Sequence, residues 1–291
     1  MTSLTHFVTN QASPLIGYNT FSGDAALVEG VLRHAAPERH EEFLRDLGEL
    51  GASAGSAQAQ RWGEEANRYP PELRTHDRYG NRIDEVEFHP SWHRLLGHAV
   101  SKGLTADAWT VPDGHLKRTA AFIAWTQVEA GHGCPLSMTH AAVPALRADP
   151  ALAAEWEPRL TSRVYDQRLV RPQEKPGCLA GMGMTEKQGG SDVRTNTTRA
   201  EPLAADGEYA LTGHKWFCSA PMSDVFLVLA QARGKGGEER GLTCFVVPRV
   251  LPDGSRNTFR IQRLKDKLGN RSNASAEVEF DGTWARRLGA E

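Results

Sequence analysis

Only four cysteines occur in 291 residues, Cys134, Cys178, Cys218 and Cys244, and no two of them stand as CxxC. Neither a zinc site nor a disulfide framework is indicated, and reduced thiols are expected. Long hydrophobic runs are missing as well. Apolar stretches such as Val225 to Ala230 fall far short of the ~20 residues a membrane span needs, so no membrane association is expected. The start, MTSLTHFVTNQASPLIGYNT, lacks the basic region and apolar block of a secretory signal, and a cytoplasmic location is expected. Nor is there an excess of charge: 34 basic and 36 acidic residues leave a formal net charge of −2, which gives no general attraction to nucleic acid. Internal repeats and low-complexity tracts are also absent.

What is present divides into two halves with different periods. The length suits two domains. In the first, SGDAALVEGVLRHAA begins at a candidate N-cap, Ser22, and spaces Ala26, Leu27, Val31 and Leu32 along one helical face. EEFLRDLGEL repeats the pattern with Phe43, Leu44, Leu47 and Leu50, and HPSWHRLLGHAV starts a helix at Pro90. The apolar stretch from Lys117 to Ala148 predicts the most buried helix, broken around Gly131, Gly133 and Pro135. From Cys178 onward the period becomes two, in CLAGMGMT, EYALTGHKWF, VFLVLAQA, LTCFVVP, FRIQRL and SAEVEF, with turn signals at Asp206-Gly207 and Asp253-Gly254. The expected class is a multidomain α+β chain: a helical bundle over 1–175, then a small antiparallel β-barrel or sandwich over 176–291, joined at the polar RPQEKPG.

One run fits neither half. Residues 181–198, GMGMTEKQGGSDVRTNTT, hold four glycines and little bulk. A dinucleotide fingerprint fails because Glu186 stands where the third glycine belongs, and no Gly-Lys pair follows to make a phosphate loop. What remains is a strand end and a turn whose backbone N–H groups could approach an anion or an acceptor-rich heterocycle. A tight turn capped by Ser191 and Asp192 accounts for the same composition. Further on, GHKWFCS places Trp216 and Phe217 beside Cys218 and Ser219, a wall that suits a flat ligand; a core tryptophan would read the same way.

MTEKQGGSD closely resembles the M-T-E-x-x-x-G-S-D signature of the acyl-CoA dehydrogenase family. KWFCS resembles that family's Trp-Ile-Thr segment, and KDKLGNRSN at 265–273 its K-x-G-x-R-x-S loop. GMGMTEKQGGSDVRTNTTRAE, RLKDKLGNRSNASAEVEF, YPPELRTHD and FHPSWH resemble the AidB-type branch, flavoproteins of the adaptive response to alkylation. The resemblance implies an N-terminal helical domain, a middle β-domain and a C-terminal four-helix domain, with FAD between the last two. It implies that the glycine run is half of a flavin site. Met182, Met184 and Thr185 would meet the isoalloxazine, and Gly190 and Ser191 the pyrophosphate. Trp216 and Phe217 would lie against the ring, with Ser219, or Cys218 one residue earlier, near N5.

The family's chemistry takes an α-proton from an acyl thioester with a glutamate of the C-terminal domain, while hydride passes to the flavin. That domain has no counterpart in the 291 residues, so the resemblance implies a fragment that is inactive alone and assigns no catalytic residue. Glu129, in QVEAGHG, is a candidate base, and a satisfied buried glutamate is the competing reading. DNA binding and most of a homo-oligomeric, tetrameric interface are likewise implied for the absent region, which leaves a non-enzymatic DNA-protecting flavoprotein as an alternative. The basic residues Arg260, Arg263, Lys265, Lys267 and Arg271 are interleaved with Asp266 and Glu277, as on a solvated strand face. His89 and His93 have the i, i+4 spacing of a metal pair but no third ligand nearby, and His132 and Cys134 flank Gly133 as packing or pocket-lining residues.

Overall fold

The computed structural model describes residues 5–289; residues 1–4 and 290–291, at the outer ends of the two expected domains, lie outside it. The first half is mainly helical. α1 (Ala25–His34) is capped by Asp24, whose carboxylate accepts from Leu27 N at 3.0 Å, and not by Ser22. Leu27, Val28 and Val31 face inward while Ala26 and Leu32 are exposed, so the apolar face is rotated from the expected one. α2 (His40–Ala54) buries Phe43, Leu47 and Leu50 as their spacing predicts, and α3 (Ala57–Arg68) follows a Ser56 cap. α4 (Pro90–Ser101) starts with Pro90 in its first turn, where a missing N–H costs nothing. A short α5 (Asp107–Thr110) leads to α6 (Gly114–Trp125), α7 (Gly133–Leu146) and α8 (Pro150–Leu160). The expected interruption is the segment 126–132 between α6 and α7. Phe21, Phe43, Leu95 and the fully buried Trp125 form the centre of this half's core.

The bundle contains a hairpin that the sequence reading did not include, β1 (Glu72–His76) and β2 (Arg82–Glu87). Its turn is set by Asp77, whose Oδ1 accepts from Tyr79 N at 2.8 Å and Asn81 N at 2.9 Å, and by Gly80 at φ +86°, a left-handed value that glycine adopts without strain. The hairpin docks on the second half: Ile261 N donates to Asp84 Oδ1 at 2.9 Å, and the buried Arg249 donates to Asp84 O at 2.7 Å.

The second half is a closed β-barrel. β5 (Glu208–Ser219) pairs with β9 (Ser275–Arg287), β9 with β7 (Glu239–Pro248), and β7 with β6 (Val225–Arg233); β8 (Arg260–Leu264) adds to β9. The ring closes through two collinear short strands, β3 (Ala180–Gly183) and β4 (Arg199–Pro202), each antiparallel to β5 and parallel to β6. The expected all-antiparallel pattern is thus broken on one side of β6. β6 is buried on both faces: Phe226, Val228 and Ala230 fill the barrel, while Val225 and Leu227 pack with Leu146, Trp156 and Val143 of α7 and α8. Two-sided burial explains why VFLVLA is continuously apolar and does not alternate.

Candidate functional site

The glycine run is the excursion the chain makes between β3 and β4, where a single barrel strand would otherwise continue. At its root Gly183 pairs with Cys218, and Trp216 N donates to Thr185 O at 2.8 Å. The two segments singled out in the sequence are therefore hydrogen-bonded neighbours. A Cβ at Gly190 would sit 2.9 Å from Thr185 Cγ2, so the turn folds back onto Thr185 only because residue 190 is glycine. Glu186 and Gly189 close this turn, and Asp192 caps the next one by accepting from Arg194 N at 3.2 Å.

The excursion is anchored by a pair that sequence reasoning missed. Glu186 and Lys215 are both fully buried, with Nζ 2.9 Å from Oε1. The same carboxylate accepts from Thr197 N at 2.7 Å, Thr197 Oγ1 at 2.9 Å, Thr198 N at 3.0 Å and Gln188 Nε2 at 2.7 Å. Burial pushes its pKa up, but the donors, Thr198 and Lys215 foremost, outweigh burial and hold it far below the usual carboxylate range. Glu186 is thus the post on which the loop hangs. The available signal was a glutamate in the motif and a lysine at an inward position of the next long strand.

A β-bulge between Lys215 and Cys218 sets the wall beside this loop. It turns both Lys215 and Cys218 into the barrel, leaving Trp216 half-buried and Phe217 exposed. Lys265 Nζ lies 2.9 Å from the Trp216 ring centroid, a close cation–π contact. Cys218 is fully buried, and burial pushes its thiol up to about 12. Ser219 is half-buried, with Oγ 3.0 Å from Ser275 Oγ. Of the two residues proposed near N5, Ser219 alone reaches the outer face. Thr185 Oγ1 and Ser191 Oγ hydrogen-bond to nothing else among the described residues, whereas the Met182 and Met184 side chains pack partly buried under α7 and α8.

The third motif meets the helix break. Ser272 Oγ donates to Glu129 Oε1 at 2.6 Å, and Lys267 Nζ donates to Asn273 O at 2.5 Å and Ser275 Oγ at 3.1 Å. Glu129 lies in the turn after α6, not in a helix, and also accepts from Gly131 N at 2.8 Å, His132 N at 3.1 Å and His132 Nδ1 at 3.1 Å. Burial alone would raise its pKa, but these donors bring it down to about 2. A carboxylate so saturated is a strut, not a poised base. Burial raises the Cys134 thiol pKa, with Asn273, Ser219 and the charge of Lys267 opposing the rise.

The remaining candidates have other partners. His89 caps α4 by accepting from Ser91 N at 3.2 Å, and His93 Nδ1 lies 2.7 Å from Tyr165 OH. Among the described residues no group of three or more His, Cys, Asp or Glu side chains could hold a metal ion. Arg260 pairs with Asp281 at 2.9 Å, Arg263 and Lys265 share Glu277 at 2.7 and 2.9 Å, and Lys267 is held by Asn273 O and Ser275 Oγ, so most of the basic cluster is engaged within the chain, on β8 and the loop after it. No described helix is long and apolar enough to cross a membrane.

A closed barrel with an excursion beside an aromatic bulge, covered on one side by a helical half, is an acyl-CoA dehydrogenase-like fold. Residues 10–167 match the model of the adaptive response protein AidB N-terminal domain, and residues 181–283 that of the acyl-CoA dehydrogenase middle domain. The chain belongs to the acyl-CoA dehydrogenase family, in its AidB branch. It is 48% identical over 291 residues to the putative acyl-CoA dehydrogenase AidB of Escherichia coli, covering 99% of this chain and 52% of that protein. Caenorhabditis elegans ACDH-11, solved in complex with C11-CoA, superposes with a TM-score of 0.82 at 28% identity, over 99% of this chain and 49% of that one. A Mycobacterium smegmatis glutaryl-CoA dehydrogenase, solved in complex with FADH2, shares the fold at a TM-score of 0.60 and 16% identity, over 94% of this chain and 60% of that one. The chain spans about half the length of the curated relatives it matches, 52% and 46% for the first two.

Proposed function

We propose that residues 184–219 form one wall of an FAD site and that the whole protein is an FAD-dependent, acyl-CoA dehydrogenase-like oxidoreductase acting on an acyl thioester. The observation that carries this reading is the hydrogen bond from Trp216 N to Thr185 O at 2.8 Å, which joins a donor-rich turn to an aromatic wall. The group fits the residues present. The Thr185 N–H and hydroxyl suit the acceptor-rich pyrimidine edge, the N–H groups of Gly190 and Ser191 suit a pyrophosphate, and Ser219 offers a hydroxyl near N5. Met182 and Met184 contribute backbone there, since their side chains pack elsewhere. Trp216 and Phe217 supply flat aromatic surface, and Lys265, Lys187 and Arg263 lie over the Trp216 ring at 2.9, 5.6 and 5.7 Å, cations that suit a phosphate-bearing ligand beside it.

When bound, the flavin supplies the hydride-accepting chemistry; the chain's own residues bind and orient it. Glu129 and Glu186 are both saturated with donors, so removal of a substrate proton is not assigned to either. We place the domain boundary at 175/176, between the two matched segments, and read the protein as a cytoplasmic homo-oligomer whose DNA contacts, if made, lie outside this basic strand face. The test is a titration of FAD into the 291-residue chain, following tryptophan fluorescence. Saturable quenching that riboflavin reproduces only weakly supports the ring-plus-pyrophosphate site. Absence of saturable quenching overturns it.

A further inference from the structure

The Glu186–Lys215 pair is more than an anchor needs. A loop can be held by uncharged donors and acceptors, whereas an ion pair taken wholly out of water carries a desolvation cost that its mutual attraction only partly offsets. Both side chains are 0% exposed, so solvent and salt screen them little. What distinguishes the pair is the wall it lies behind. Glu186 follows Thr185, Lys215 precedes Trp216, and those two neighbours are joined by the hydrogen bond from Trp216 N to Thr185 O at 2.8 Å. One fixed charge of each sign therefore stands one residue away from each of the two groups assigned to the flavin ring.

The charges on the outer side of the wall differ in kind. Lys187 and Arg263, over the Trp216 ring, are exposed, where salt screens them, and Arg263 shares Glu277 with Lys265. Inside the barrel the neighbouring Cys218 is a neutral thiol. Burial lowers the Lys215 pKa and Glu186 opposes the fall, while the donors around Glu186 outweigh burial and keep that carboxylate ionised. A hydride brings two electrons and one proton, so a reduced flavin ring carries one more negative charge than an oxidised one. Charge fixed beside the ring biases that balance: a lone ammonium favours the reduced form and a lone carboxylate the oxidised form.

We propose that Glu186 and Lys215 are a matched tuning pair, which gives the loop charge-strength anchoring while leaving the oxidised and reduced flavin unbiased; the inference rests on the FAD reading above. The test is anaerobic titration of the 291-residue chain with FAD and, separately, with dithionite-reduced FAD, following tryptophan fluorescence. The readout is the ratio of the two dissociation constants, in which loop damage and pyrophosphate contacts cancel because they enter both. Glu186→Gln, read at about pH 6.5 so that the ammonium stays charged, favours reduced FAD by ~10-fold relative to wild type at that pH. Lys215→Met, read at about pH 8.5 so that the carboxylate stays charged, favours oxidised FAD by ~10-fold. That is the effect of a unit charge acting over about 10 Å at an effective dielectric of ~20. Glu186→Gln/Lys215→Met, with no buried charge left, stays within about threefold of wild type. Should one single variant unfold, the other, set against the double variant, decides the matter. No FAD binding by the wild-type chain in either state overturns the site reading and this proposal together. FAD binding with unchanged ratios, or with both single variants shifted in the same direction, overturns this proposal alone.

Discussion

At the scale of single residues, Glu186 and Lys215 carry the largest stake, because each is fully buried and each satisfies the other. Lys215→Met leaves a carboxylate in the interior with its cation gone, and Glu186→Gln leaves an ammonium with only a neutral acceptor. Each should cost about 3–5 kcal/mol, and the double substitution less than the sum of the two, as read by urea unfolding. The same residues set the acid limit of the fold. Glu129 and Glu186 have folded-state pKa values below the ~4.3 of an unfolded glutamate, so their stabilisation is fully present above that value. It is lost as pH falls through the folded value, about 2 for Glu129. Unfolding free energy should begin to fall below the ~6.5 of an unfolded histidine, because burial holds His93 and His140 at about 4, and should keep falling below ~4.3 as the two glutamates lose their advantage; Glu129→Gln should flatten only the part below ~4.3. A level profile down to about pH 3 would refute the assignment of these two carboxylates as ionised struts.

At the scale of elements, what could be read in the sequence followed from period and punctuation. The α2 face was visible because Phe43, Leu47 and Leu50 recur at helical spacing, and the break before α7 because glycine and proline cluster there. The β1–β2 hairpin was not, because its strands carry few apolar residues and gain their burial by docking on the barrel through Asp84. The division of one strand into β3 and β4 leaves no periodic trace, since each half is only four residues long. At Trp216 the sequence left an aromatic wall and a core tryptophan equally open: strict alternation cannot place Trp216 and Phe217 outside together, and the bulge does. Glu186 read as the residue that spoils a glycine fingerprint, whereas its role depends on Lys215, 29 positions away. The narrow strand β3 offers an element-level test. A Cβ at Gly181 would lie 2.2 Å from Phe226 Cε1, so Gly181→Ala must displace a barrel-filling ring and should destabilise by about 1–3 kcal/mol, measured by urea unfolding. Wild-type stability in that variant would mean that β3 is not seated on β6 as described.

At the scale of the whole molecule, the two halves share a core in which α7 and α8 cover β3 and β6, so the 291-residue chain is expected to unfold in one cooperative transition. Its proposed flavin wall is open: Phe217 is 45% exposed and Leu268, in the neighbouring motif loop, fully so. Uncovered apolar surface of this kind favours self-association, visible as concentration-dependent gel filtration. A site with one wall also buries less of its ligand than a closed pocket, so the chain should be largely free of FAD as purified and inactive toward acyl-CoA. With a formal net charge of −2 and its basic residues interleaved with acids, the chain should bind duplex DNA no more tightly than ~10⁻⁴ M in physiological salt, and a gel shift at submicromolar protein would contradict that. The central claim, that the excursion between β3 and β4 together with the β5 bulge holds the flavin, is tested most directly by comparing FAD binding to the wild-type chain and to Thr185→Ala/Ser191→Ala by equilibrium titration. Both side chains lie outside the core, so the fold should be retained. The account predicts a loss of about 1–3 kcal/mol in the double variant, the size of one or two hydrogen bonds. Equal FAD affinity in the two proteins would contradict it.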